Sequence, residues 1–322
     1  MTMPMTSTLP FLDEAAIHRA LTPAGAVAAV EAALRGGLDP AAGVPRTRTA
    51  MAHGQLLLMP AESATHAGVK LATVAPANPA RGLPLINAVY VLFDAETLRP
   101  AALLDGTALT TLRTPAVSVA AVRPFLPPRP LRVVVIGAGP QGAGHLGTLA
   151  GVAGIAEARV VARTPGTTLA GFPGLPPHRV LTAGTPEVAA ALREADVVVC
   201  ATTAREPVFD STLLGPRAVV VAVGTHEPDA REVDAAFCGR ATVVVEDVAT
   251  ALRECGEVVL AVAEGALDPG ALVPMRDVVR GEPPAPGAEG TRPVLYKGSG
   301  MAWQDLAVAE AVLAGSPELS PA

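Results

Sequence analysis

No stretch of this 322-residue chain stays apolar for the length a membrane span requires. A spanning helix takes about 20 such residues, and Pro, Gly, Arg or Asp interrupts every run here well before that. The mean hydropathy of +0.41, with 50% hydrophobic residues, therefore reads as Ala, Val and Leu packed in an α/β core. Excess positive charge is also missing. The formal net charge is -6 and there is no basic cluster, which argues against nucleic acid as a partner. Cysteines number three, Cys200, Cys238 and Cys255, too few and too dispersed for a disulfide framework. They read as reduced structural thiols of a cytoplasmic protein. Six histidines occur without an H-E-x-x-H pattern or a Cys/His pair at ligand spacing, so no metal site is expected. The start, MTMPMTSTLPFLDE, has neither the basic head nor the apolar core of a signal peptide. Aromatics make up only 3%, which offers few stacking platforms and favours a small aliphatic ligand.

What is present centres on Arg132 to Leu146, RVVVIGAGPQGAGHL. Val133 to Ile136 is the unbroken apolar run of a strand buried on both faces. It leads into Gly137, Gly139 and Gly142, a G-x-G-x-x-G motif, and then into residues that continue as a helix. In a dinucleotide fold Gly137 permits the tight turn and Gly139 lets backbone approach a pyrophosphate. Gly142 lets the helix pack closely on the strand. The helix N-terminus directs free N–H groups and partial positive charge at the phosphates.

On either side of this motif the chain has two characters. Residues 11 to 35 look helical, with Asp13 capping one helix and Thr22-Pro23 opening a second that Gly36-Gly37 ends. Short strands follow at Leu56–Met59, Gly68–Val74, Leu85–Phe93 and Ala101–Leu104, predicting a mostly antiparallel sheet. Thr114-Pro115 reads as an N-cap followed by an N1 proline, which would set Arg113 at the positive end of a helix. Strands at 132–136, 158–162, 179–181, 196–201, 218–223 and 242–245 alternate with helix or loop, as in a parallel sheet with right-handed crossovers. Asp247–Arg253 and Val258–Glu264 look helical, and Gly281–Thr291 reads as a mobile Pro/Gly loop. Ser299–Ala314 has helical spacing and is expected to close back onto the first domain. The fold class is α/β, a Rossmann dinucleotide-binding domain inserted in an α+β substrate and dimerisation domain. The boundaries fall at 1–114, completed by 295–322, and at 115–294.

The end of the second Rossmann strand selects the dinucleotide. An acidic residue about 20 positions after the glycines would accept the ribose hydroxyls of NAD. Here Arg163 stands in that place, followed by Thr164. A guanidinium holds a 2′-phosphate and stacks on adenine, and the threonine hydroxyl adds a hydrogen bond. NADP(H) is therefore expected ahead of NAD(H).

Several stretches together resemble the ornithine cyclodeaminase/μ-crystallin family across nearly the whole chain and in order. In the first half they are Leu58-Met59-Pro60-Ala61, Gly68-Val69-Lys70-Leu71, Pro76-Ala77-Asn78 and Leu112-Arg113-Thr114. The glycine motif with Gln141 and His145, the stretch from Gly224 to Asp234 (GTHEPDAREVD) and Tyr296 to Ala302 with Asp305 complete the set. The resemblance implies a homodimer, a pyridine nucleotide and a small amino acid or its imine as substrate. It implies that Arg46, Lys70 and Arg113 surround the substrate carboxylate and reacting carbon, with Arg48 a competitor for the place of Arg46. Thr114, Pro140, Gln141, Thr202 and Val223 would line the cofactor. Two arginines suit a carboxylate as permanently charged anchors. A lysine desolvated among cations suits proton donation to an imine nitrogen.

Departures from the family's pattern bear on the reaction. The aspartate expected of an ornithine cyclodeaminase is His226, the lysine after its proline is Ala230, and two further polar positions are Leu85 and Gly298. Loss of the aspartate points to the μ-crystallin, ketimine-reducing branch. His226 is either the acid/base or a loop residue beside the cofactor. The leading expectation is NADPH-dependent reduction of Δ1-pyrroline-2-carboxylate or Δ1-piperideine-2-carboxylate to L-proline or L-pipecolate. Ornithine cyclodeamination, an alanine-dehydrogenase-like reductive amination, and a non-catalytic protein holding NADPH and a small ligand remain alternatives.

Overall fold

The computed structural model describes residues 9–282 and 292–316. Of the loop expected over Gly281–Thr291 only Gly281 and Glu282 are described; the first eight residues, part of the start expected to lack a leader, also lie outside the described residues. The chain begins with β1 (Phe11–Leu12), α1 (Glu14–Ala20) and α2 (Pro23–Arg35). Asp13 caps α1, its Oδ1 accepting the Ala16 N–H at 2.8 Å, and Thr22 Oγ1 accepts the Gly25 N–H at 3.1 Å. There follow β2 (Thr47–Met51), β3 (Gly54–Glu62), β4 (His66–Val74), β5 (Ile86–Asp94), β6 (Pro100–Asp105) and α3 (Gly106–Val122). Next are β7 (Leu131–Ile136), α4 (Pro140–Val152), β8 (Ile155–Ala162), β9 (Arg179–Thr182), α5 (Pro186–Glu194), β10 (Val197–Cys200) and β11 (Val219–Ala222). The remainder is α6 (Ala235–Arg240), β12 (Thr242–Val245), α7 (Val248–Glu254), α8 (Gly256–Ala263), β13 (Val273–Pro274), α9 (Met275–Arg280), β14 (Val294–Lys297) and α10 (Ala302–Ala314). Among the described residues no helix is long and apolar enough to cross a membrane.

Two compact units result. The first takes the chain to Ala29, Ala42–Arg113, and the chain from Met301. Its sheet runs β1-β6-β5-β4-β3-β2, antiparallel except for β1 beside β6. Strand alternation sorts the side chains by face. Leu57, Met59, Lys70, Ala72, Tyr90 and Leu92 are buried on one face, where α10 packs on β3 and β4. Leu58, Val69, Leu71, Val91 and Phe93 point to the other and are only half-buried. The strand β2 is absent from the sequence expectation because its residues, TRTAM, lack an apolar run and are all exposed.

The second unit holds Val30–Ala41 and Thr114–Gly300. Its eight strands, in order β13-β12-β14-β11-β10-β7-β8-β9, all pair in parallel. The fold is thus α/β: this unit carries a parallel sheet of Rossmann type and the first unit an antiparallel one. The central strands β10, β11, β12 and β14 are buried at every residue, which is why they read as continuous Val-rich runs rather than alternating ones. Burying one Val or Leu contributes roughly 1.5–3 kcal/mol, so these runs hold the sheet regardless of their loops. Residues 295–297, expected with the segment 295–322 that completes the first domain, continue from Val294 as a strand between β11 and β12 of this sheet.

The expected helix start at Thr114-Pro115 is corrected. Helix α3 begins at Gly106 and carries Pro115 in its interior. Its real cap is Asp105, whose Oδ1 accepts from Thr107 N at 2.8 Å and Ala108 N at 3.0 Å. A proline inside a helix removes one backbone bond, and the flanking turns carry it here. Arg113 is therefore in the middle of α3 and not at its N-terminus, and its role rests on its side-chain contacts.

Candidate functional site

In the first unit the register of the sheet builds a charged centre. Lys70 on β4 pairs with Met59 on β3 and Tyr90 on β5, and its side chain is only 4% exposed. Asp305, near the start of α10, is fully buried and meets it. Lys70 Nζ donates to Asp305 Oδ1 at 3.0 Å and to Thr110 Oγ1 at 3.3 Å. The closer approach, 2.8 Å to Oδ2, lies off the hydrogen-bonding direction, so the directed bond is the one to Oδ1. Arg113 Nε donates to the same Oδ1 at 3.2 Å, and Nη1 donates to Gln304 Oε1 at 2.6 Å. With Nε and Nη1 committed to α10, the fork expected to grip a carboxylate with two nitrogens has Nη2 as its remaining nitrogen.

Burial pushes Lys70 down from 10.5 to about 8; Asp305 opposes this, while Arg113 and Arg46 add to it. Arg46 thus belongs to the centre electrostatically. It immediately precedes β2, whose Thr47 pairs with Leu58, so its place in the register is beside Met59 and Lys70. Its competitor Arg48 lies on β2 with an exposed side chain. Burial, with Asp305 and Glu310 nearby, also raises the Tyr90 phenol far above its ordinary range, so it stays neutral. Its hydroxyl is buried without a hydrogen-bond partner among the described residues, over Gly68, where any side chain would collide with it.

The second unit carries the glycine loop. Gly137 has φ +115°, and a Cβ there would run into Ala201 O. A Cβ on Gly142 would run into Gly137 O, so the third glycine is required by the approach of helix to strand. Gly139 differs: a Cβ there would meet nothing within 4 Å, which leaves its backbone open to a ligand. Pro140 opens α4, and the first turn presents N–H groups that no helical carbonyl can satisfy. Gln141 Oε1 is buried with no hydrogen-bond partner among the described residues; as an acceptor it calls for a donor and not for a phosphate. The tight turn, the open Gly139 backbone and the helix N-terminus fit a dinucleotide pyrophosphate. Arg163 and Thr164 follow the end of β8 with exposed side chains, on a turn closed by Thr167 N–H and Oγ1 donating to Thr164 O. Thr114, expected at the cofactor, is a half-buried residue within α3 whose carbonyl accepts from Ser118 Oγ.

Thr202 and Val223 follow β10 and β11, and a buried carboxylate ties their loops. Glu232 Oε1 accepts from Thr202 N and Oγ1, both at 2.7 Å, and Oε2 accepts from Gly224 N at 2.7 Å. Burial raises its pKa above the usual carboxylate range. Glu257 Oε1 accepts from Glu232 N at 2.8 Å, and its Oε2 lies 2.9 Å from Lys297 Nζ. Lys297 donates to Thr225 O at 2.6 Å. Glu227, two residues on, pairs with Arg205 at 2.5 Å. His226 is therefore a half-buried residue on a loop anchored on both sides. His145 is buried at α4, with Nδ1 2.7 Å from Gln141 O and Nε2 3.0 Å from Ser118 Oγ; burial pushes it down to about 4. A carbonyl only accepts, so the neutral ring carries its proton on Nδ1 and leaves Nε2 as an acceptor for the one Ser118 O–H, which it shares with Thr114 O.

Asp305, Gln304, Glu232 and Glu257 had no assigned role in the sequence. Their signal is an acidic or amide residue in an otherwise apolar segment, such as MAWQDLAV, but only the fold supplies their partners.

A model of the ornithine cyclodeaminase/mu-crystallin family matches residues 11–315. A Δ1-pyrroline-2-carboxylate reductase of Burkholderia ambifaria is 34% identical over 79% of this chain and 78% of its own. The structure of Thermococcus litoralis Δ1-pyrroline-2-carboxylate reductase in complex with NADH and L-proline superposes with TM-score 0.82. It is 25% identical and covers 96% of this chain and 98% of that one. An archaeal alanine dehydrogenase dimer with bound NAD gives 0.80 at 26% identity, over 96% of each chain.

Proposed function

The chain belongs to the ornithine cyclodeaminase/mu-crystallin family, and from that premise we propose that it reduces a cyclic ketimine carboxylate with NADPH. It is an NAD(P)-dependent oxidoreductase acting on C–N bonds. The substrates are Δ1-pyrroline-2-carboxylate or Δ1-piperideine-2-carboxylate, and the products L-proline or L-pipecolate. The observation that carries this reading is the buried centre in which Lys70 is held by Asp305 with Arg113 and Arg46 around it. Lys70 and Arg113 against the one carboxylate of Asp305 leave positive charge for a substrate carboxylate, in a buried place where water screens it little. A reduced nicotinamide, when bound at the glycine loop, would supply the hydride. Lys70 supplies the proton: its N–H bond breaks as the product amine N–H forms, and solvent restores it between turnovers. A lysine near 8 is mostly charged at neutral pH and still releases its proton readily, as general acid catalysis requires.

The phosphorylated cofactor rests on Arg163, which is exposed and sits where NAD enzymes carry an acid. The relatives with NADH or NAD support the nicotinamide dinucleotide itself. A homodimer is supported by the half-buried apolar face of the first sheet, flanked by Phe11 and Val44, each 59% exposed, and by the dimeric alanine dehydrogenase. Sedimentation of Leu71→Glu as a monomer, against a wild-type dimer, checks it. Buried free cysteines agree with a cytoplasmic location.

Alanine-dehydrogenase-like reductive amination is the second reading, favoured by the similarity to the archaeal alanine dehydrogenase. A substrate panel separates the two. The proposal expects NADPH consumption with either cyclic imine and little with pyruvate plus ammonia. The reverse order supports the second reading, and ammonia release from ornithine would restore cyclodeamination.

A further inference from the structure

Of the 24 lysines and arginines only Lys70 and Lys297 are lysines, and both are buried. Arginine keeps its proton in a protein, whereas lysine gives it up when its surroundings favour that. The two lysines are tuned in opposite directions. Burial works against the charge on Lys297, yet Glu257 and other acidic neighbours prevail and hold it above its ordinary value. Around Lys70, burial prevails.

Among the charged groups of the described residues that act on Lys70, Asp305 alone opposes that burial. We propose that Asp305 is the positioning residue of the centre, keeping Lys70 charged and aimed while fixing Arg113 through Nε. The geometry carries the assignment. One fully buried carboxylate oxygen, Oδ1, receives Lys70 Nζ at 3.0 Å and Arg113 Nε at 3.2 Å, so both cations are referred to a single atom. Gln304, the preceding residue on α10, takes Arg113 Nη1 and fixes the plane of the guanidinium. Thr110, one helical turn before Arg113, accepts a second Lys70 hydrogen bond while donating its own hydroxyl to Gly106 O.

The other groups facing Lys70 do not replace Asp305. Arg113 from α3 and Arg46 ahead of β2 disfavour its charge. Tyr90 from β5 is neutral. Glu310, further along α10, is engaged by Ser63, Thr65 and His66. Without Asp305, Lys70 and Arg113 would lose the one carboxylate that holds both, and Lys70 is the one able to become neutral. This assignment deepens the reading of Lys70 as proton donor and rests on it for its catalytic consequence.

Protein labelled with 13C and 15N at lysine gives signals from two side chains only, so each titrates separately. In Asp305→Asn the Lys70 midpoint is expected to fall by at least one pH unit while Lys297 does not move. Asp305→Glu recovers at least half of that shift. The pH profile of kcat/KM for imine reduction is expected to move with Lys70. An unchanged Lys70 midpoint in Asp305→Asn, with the Lys297 signal intact, overturns the proposal. Should Asp305→Asn not fold, aspartate-labelled wild-type protein decides: the Asp305 carboxyl carbon shifts at the Lys70 midpoint, and no shift there overturns it. If Lys70 responds to Asp305 but the wild type consumes no imine, the proposed reaction fails and the assignment of Asp305 stands.

Discussion

Lys70 on β4 and Asp305 on α10 stand 2.8 Å apart across 235 positions of sequence, inside one unit of the fold. The pair is too deeply buried to be a surface ion pair of small effect, since Lys70 and Asp305 side chains are 4% and 0% exposed. Its cost in desolvation is offset by the shared contact to Arg113 and by the directed hydrogen bonds. An arrangement of this kind makes the state of one proton depend on a few named neighbours.

Replacing Lys70 tests whether that proton is used. Lys70→Met is expected to lower kcat for imine reduction by at least about 10²-fold, the scale of a lost general acid. Lys70→Arg is expected to fail comparably despite keeping the charge, because a guanidinium does not release its proton. NADPH affinity, measured by fluorescence titration, is expected to stay within about threefold, because the glycine loop belongs to the other unit.

The pH dependence follows from the depressed value of Lys70. The acid form is the donor, so kcat/KM is expected to be level below about 8 and to fall as pH rises through it. A profile that falls only near 10.5, the ordinary lysine value, would show that the titrating group is not this buried lysine.

Arg163 governs the cofactor. Arg163→Ala is expected to raise the Kd for NADPH by about 10-fold to 100-fold, the loss of one charge-assisted phosphate contact, while NADH binding changes little. Calorimetric titration of both nucleotides with both proteins reads this directly. Equal weakening for the two would place Arg163 away from the 2′-phosphate.

His145 makes the fold acid-sensitive. Between pH 6.5 and about 4 the unfolded chain takes up a proton at this position that the folded chain refuses. Its stabilising contribution is therefore complete above pH 6.5 and is lost as pH falls toward 4, amounting to about 3 kcal/mol at the acid end. Urea denaturation of His145→Gln is expected to show a shallower loss over that interval than the wild type.

The sequence made some of this legible because certain residues have no other use at their positions. Gly137 and Gly142 admit no side chain, and their spacing after a fully apolar strand is enough to place a dinucleotide loop. Lys70 was legible through a resemblance, since its strand alone reads as an ordinary half-buried segment. Asp305 was part of the same resemblance but its role was not legible, because an aspartate in an apolar helix has meaning only beside its partner. The start of α3 was misread for a local reason. Thr114-Pro115 carries the strongest capping signal in its neighbourhood, and the true cap, Asp105, is hidden at the end of a strand. In the second unit the loops holding Thr202 and His226 are set by Glu232 and Lys297, which meet through Glu257 and could not be paired from spacing.

The most direct test of the account is the steady-state oxidation of NADPH by the purified protein with Δ1-piperideine-2-carboxylate or Δ1-pyrroline-2-carboxylate, with the amino acid product identified by chiral chromatography. The account predicts sustained NADPH loss matched one for one by L-pipecolate or L-proline, and its abolition in Lys70→Met. No oxidation with either imine between about pH 6 and pH 9, the range spanning the Lys70 transition, would contradict it.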